Sequence, residues 1–140
     1  MMCTSKTESL SQAFIFCTLP RHEWTHAAHL KVGLWHCLQY PPSEALDLLR
    51  ERIKRYNVAC GVANTASQGY HETITQFYLR LIFSFLLKAD QTLPIDDLAQ
   101  CLIQVYGDGA LPLRYYSKEC LFSESARLQW VEPDLTPWFE

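Results

Sequence analysis

Residues 22–40 read HEWTHAAHLKVGLWHCLQY, and Pro41-Pro42 follows at once. Apart from Gly33 the stretch has no Gly or Pro, and Leu30, Leu34 and Leu38 recur every fourth residue. That spacing predicts one face of an amphipathic helix from His22 to Tyr40. Four of the five histidines fall in the same stretch: His22, His26, His29 and His36. At about 100° per residue they share an arc of about 80°, beside the leucine stripe, with Gly33 inside the arc where a missing side chain leaves space.

Working outward, Pro41-Pro42 stops this helix and Ser43 is a good cap for a second, about Glu44 to Ala59. Leu46, Leu49, Ile53 and Tyr56 form its apolar stripe, and Gly61 is placed to end it. Residues 64–69 form a polar loop, after which a third helix runs from about Tyr70 to Lys88. It is rich in Phe, Leu and Ile on most sides and is expected to be central. Pro94 precedes a fourth helix, about Ile95 to Tyr106, and Gly107-Asp108-Gly109 breaks the chain again. A short helical piece is expected near residues 117–130, then an extended end. Residues 1–12 are polar and expected to be disordered, leaving 13–140 as a single helical domain. The expected fold is all-α: an up-down helical bundle of about four main helices with an irregular C-terminal tail.

Composition agrees with this and removes several functions. Apolar residues make up 49% and charged residues 19%, enough for a globular core. Five glycines, against the roughly ten of average usage, disfavour a turn-rich β fold. The net charge is −3 with no basic block, so nucleic acid is not an expected partner. No apolar run approaches the roughly 18–20 residues of a membrane span, since Leu79 to Leu87 is interrupted by Arg80 and Ser84, so no membrane partner is expected. The six cysteines are scattered without a CxxC pair and the N-terminus lacks the pattern of a secretion signal. They are read as reduced, mostly buried residues of a cytoplasmic protein.

Histidines at i, i+3 or i+4 let one helix present two nitrogens to a metal. If the first three helices run up, down and up, His26 and His29 start the first at the end where His71 starts the third. These three are the expected ligands of a divalent transition metal with open positions for water or substrate, and imidazole suits Zn, Fe, Ni or Cu alike. His36 lies about 15 Å along the helix from His26 and is read as a structural residue. His22-Glu23-Trp24-Thr25-His26 also spells HExxH, the zinc-protease pattern with Glu23 as general base. The extended form of that motif needs Gly at 29 and His at 32, where this chain has His29 and Val32. Only 21 residues precede it, too few for the usual substrate-binding sheet. Glu72, an acid in the first turn of the third helix, is a second candidate acid or base. Tyr56, Asn57, Thr73 and Tyr115 are candidate polar groups of a pocket.

The strings Glu23-Trp24-Thr25-His26-Ala27-Ala28-His29-Leu30, Tyr56-Asn57 with Gly61 and Asn64-Thr65, and Gly69-Tyr70-His71-Glu72-Thr73-Ile74-Thr75 resemble those of a family of small, uncharacterised bacterial proteins with EWTHxxH and GYHETxT motifs. The tail from Tyr115 to Leu135 resembles the same family's C-terminal pattern, so the likeness runs through nearly all the chain after residue 20. It implies that His26, His29, His71, Glu72 and Thr73 belong to a signature, that His22 and His36 do not, and it brings no activity with it. The architecture is also similar to DinB/YfiT-type bundles, which hold a metal with three histidines.

The expectation is therefore a metal-binding helical protein acting on a small-molecule substrate by hydrolysis or group transfer. Glu72 or Glu23 would be its acid/base. The rival is a non-catalytic binding or interaction module with structural histidines, in which Trp130, Trp138 and Phe139 anchor a partner or a homodimer. A small zinc protease is the third reading.

Overall fold

The computed structural model describes residues 5–137; Cys3, Trp138 and Phe139 lie outside them. Within that span the protein is all-helical, with no strand. Five helices have ten or more residues: α1 (Lys6–Ile15), α2 (His26–Gln39), α3 (Pro42–Ala59), α4 (Glu72–Lys88) and α5 (Ile95–Tyr106). Two short ones follow, α6 (Lys118–Leu121) and α7 (Glu124–Leu128), and 3-10 turns occupy Arg21–Glu23 and Leu111–Arg114. Seven helices thus replace the four main ones expected.

The additional long helix is α1. Residues 6–12, expected to be disordered, form most of it. Ser5 caps the helix by accepting the Glu8 N–H, and the Asp96 carboxylate at the start of α5 accepts the N–H groups of Lys6 and Thr7. Thr7, Ser11 and Phe14 are its buried face.

α2 begins later than the sequence pattern suggests. Thr25 accepts the Ala28 N–H as its cap, so His26 is its first residue and His22 lies in the preceding 3-10 turn. α2 packs against α1, α3, α4 and α5 and buries residues around most of its circumference, which makes it the centre of the fold instead of α4. A Cβ on Gly33 would lie 2.8 Å from Ile82 Cδ1, so the space left by the missing side chain is taken by α4. α3 ends as expected, with Gly61 at φ 82° just past the cap residue Cys60.

The C-terminal segment wraps the start of α4. Thr73 Oγ1 donates to the Gln129 carbonyl and accepts the Val131 N–H, Tyr116 Oη donates to the Val131 carbonyl, and Arg127 donates to the Gly69 carbonyl. The Arg80 guanidinium lies 3.8 Å from the Trp130 ring centroid. Among the described residues no helix is long and apolar enough to cross a membrane. The five described cysteines are free, but only Cys37 is buried and Cys101 is exposed, so burial is less general than expected.

Candidate functional site

A cavity of about 410 Å³ opens where α2, α3 and α4 diverge beneath the C-terminal wrap. Leu30, Val32 and Gly33 of α2 face Leu49 and Ile53 of α3 across it. Ile74, Leu79 and Ile82 of α4 form a third wall, and Pro112, Leu113 and Leu121 close the far side. No Asp, Glu, Lys or Arg lines it; its polar side chains are Trp24, His26, His29, Thr75 and Tyr78.

Each of these is held by local structure. His29 Nδ1 donates to the Thr25 carbonyl at 2.7 Å, one turn back, which leaves Nε2 as the acceptor nitrogen. Its ring stacks on Trp24 at a centroid distance of 3.7 Å, and Trp24 in turn stacks on Phe14. Burial lowers the His29 pKa, although the residue is exposed to solvent, which limits the effect. His26 Nε2 makes a long contact of 3.4 Å with the Tyr106 carbonyl, and its ring meets the Tyr78 ring edge-on at 5.2 Å. Thr75 donates to the His71 carbonyl. Tyr78 is different: its Oη is buried and has no hydrogen-bond partner among the described residues. Burial, with the Asp108 charge adding to it, pushes this phenol above its ordinary pKa, so it remains a donor at neutral pH.

His71 does not join His26 and His29 as a ligand. It is the cap of α4: Nδ1 accepts the Ile74 N–H at 3.1 Å, and Nε2 donates to the Leu121 carbonyl at 2.7 Å. Both nitrogens are committed to backbone, so no lone pair is left for a metal. Among the described residues no group of three or more His, Cys, Asp or Glu side chains is placed to hold a metal ion. The helix order did bring the histidines near one another, for His29 and His71 both border a second cavity of about 390 Å³ that shares Trp24, Ile53, Ile74 and Thr75 with the first. The start of α4 at Glu72 turned the His71 ring back onto the backbone.

The two carboxylate candidates lie elsewhere. Glu23 is exposed, beside the exposed His22, and borders neither cavity. With α2 starting at His26, His22 and His26 do not share a helix, so HExxH lacks the geometry that gives it meaning. Glu72 is buried and receives Arg50 Nε at 2.9 Å, Arg50 Nη2 at 2.7 Å, Tyr70 Oη at 2.8 Å and Gln76 Nε2 at 2.6 Å. Burial alone would raise its pKa, but these donors outweigh burial and hold it at about 2. It ties α3 to α4 as a fixed anion. His36, fully buried, donates from Nδ1 to the Val32 carbonyl and accepts from Arg52, in keeping with a structural role.

Of the pocket candidates, Tyr56 and Asn57 border the second cavity, with the Tyr56 hydroxyl bound to the Leu19 carbonyl and Asn57 to Asn64. Thr73 pins the tail, and the Tyr115 carbonyl accepts the Leu135 and Thr136 N–H groups. Tyr78 was not among the candidates; its signal is a hydroxyl four residues from both Ile74 and Ile82, on an apolar face. No family model, curated protein or solved structure matches the chain.

Proposed function

We propose that the protein is a non-catalytic receptor for a small apolar molecule, bound in the cavity between α2, α3 and α4. The observation that supports this is the wall: about 410 Å³ bordered by aliphatic and aromatic side chains and by no charged one. Ligand sites are typically concave, mostly apolar and about 300–1,000 Å³ in volume. An engineered cavity of roughly 150 Å³ binds benzene, so this one has room for a two-ring molecule. The two carboxylates of the hydrolytic reading do not serve this cavity: Glu23 does not border it and Glu72 is locked in its ion pair.

The test is a titration with N-phenyl-1-naphthylamine, an uncharged dye that fluoresces on leaving water. Saturable binding of one dye per chain is expected. Ile74→Trp, and independently Leu113→Trp, should each fill part of the cavity and weaken binding at least tenfold while circular dichroism remains that of the parent. Absence of saturable binding, or full binding in both folded variants, overturns the proposal.

A further inference from the structure

We infer that the molecule bound here is an amphiphile: its apolar chain lies between α2, α3 and α4, and its carboxylate head extends through the second cavity to Arg21. The inference rests on the first cavity being a small-molecule site and adds the class of molecule it takes.

Two observations support it. The first is how the cavities adjoin. Trp24, His29, Ile53, Ile74 and Thr75 border both. They come from the turn before α2 and from α2, α3 and α4, so residues of three helices ring the junction, where a wall between the two would need only one or two. His29 is exposed, so the junction also faces solvent. A molecule whose chain fills the apolar cavity can therefore carry its other end into the second one, about 390 Å³ in volume.

The second observation is what the second cavity leaves unpaired. Its other polar side chains are spent inside the protein: Tyr56 on the Leu19 carbonyl, Asn57 on Asn64, Tyr70 on Glu72, and His71 on the backbone. Arg21 is the one formally charged residue among the described residues that border either cavity. Its guanidinium has no ion pair or hydrogen bond among the described residues, and its charge acts on the Tyr56 hydroxyl. The nearest acid in sequence, Glu23, lies 3.9 Å from His22 and borders neither cavity. A guanidinium fork matches a carboxylate and repels an ammonium. Because Arg21 is exposed, a head paired with it keeps part of its hydration and escapes the cost of burying an ion.

Three compounds with the same ten-carbon chain separate the cases by displacement of N-phenyl-1-naphthylamine: decanoate, 1-decanol and decyltrimethylammonium. The expected order is decanoate first, about three- to fivefold ahead of 1-decanol, the ratio an exposed ion pair supplies, with the ammonium last. In Arg21→Gln the advantage of decanoate should fall to near unity while 1-decanol and the dye bind as before. The Arg21 backbone carbonyl, which accepts the Trp24 N–H, is untouched by that substitution. Val62→Trp narrows the second cavity and not the first, and should weaken decanoate while leaving the dye, with circular dichroism that of the parent. If Arg21→Gln leaves the decanoate-to-decanol ratio unchanged, if folded Val62→Trp binds decanoate as the parent does, or if the ammonium equals decanoate, the inference fails while the first cavity remains a small-molecule site. If the dye has no saturable site, or none of the three displaces it, the cavity reading and the inference fall together.

Discussion

Single residues decide what the cluster of histidines does. His71 caps α4 with one nitrogen and binds the Leu121 carbonyl with the other. His71→Ala should therefore cost about 1–3 kcal/mol from the lost cap and the carbonyl left without its donor, read from urea midpoints at pH 7.5. His71→Asn can still cap and should recover part of that loss. If His71 were a metal ligand, both variants would instead lower the affinity for added Zn²⁺ measured by calorimetry, and their stabilities would follow metal content. Sequence spacing placed His26 and His29 at the cavity, because helix periodicity fixes which face a residue occupies. It could not show that His71 caps the helix, since histidine is not among the usual capping residues and a shift of two positions in the helix start reverses its role.

At the scale of elements, hydrophobic periodicity found α2, α3, α4 and α5, and placed α5 at its observed bounds, because each has large apolar residues on its buried face. It missed α1 for a physical reason. Two of the three residues α1 buries, Thr7 and Ser11, are small hydroxyl residues, and Ser11 Oγ satisfies itself on the Thr7 carbonyl. A buried face of that kind is silent to any hydrophobic count. The available signal was Ser5 followed by Glu8, a capping-box pattern, whose serine does cap the helix. What holds the N-terminus in place is remote in sequence: Asp96 accepts the Lys6 N–H at 3.1 Å and the Thr7 N–H at 2.9 Å. Asp96→Ala should leave both groups without this acceptor and destabilise the protein by about 1–2 kcal/mol. Amide exchange should quicken in residues 6–12 ahead of α2 or α4; uniform loss of protection, or none, would show that Asp96 is not the clamp.

For the whole molecule, two buried polar groups couple the central helices and make stability depend on pH in two successive windows. His36 joins α2 to α3 through Arg52, and burial lowers its pKa to about 4, with the Arg52 charge acting the same way against the Val32 carbonyl. The unfolded chain takes up this proton near pH 6.5 and the folded chain does not, so the stability conferred by a neutral His36 is complete above 6.5 and is lost as pH falls toward 4. At pH 5 the loss should be about 2 kcal/mol from this group. Burial lowers the pKa of His29 and His71 as well, so they add to the same window with the same sign. Glu72 acts later. Its folded pKa of about 2 lies below the ordinary value of 4.5, so the stability it gives is present above 4.5 and lost between there and 2, on the order of 3 kcal/mol in all. Urea midpoints should therefore fall between pH 7.5 and 5 and fall again below 4.5. His36→Gln can keep a donor for Val32 and an acceptor for Arg52 without titrating. It should flatten the first decline by roughly the His36 share and leave the second intact. A parent protein equally stable at pH 7.5 and 5, or a His36→Gln variant whose profile runs parallel to the parent's, would mean that α2 and α3 are not joined through a neutral imidazole.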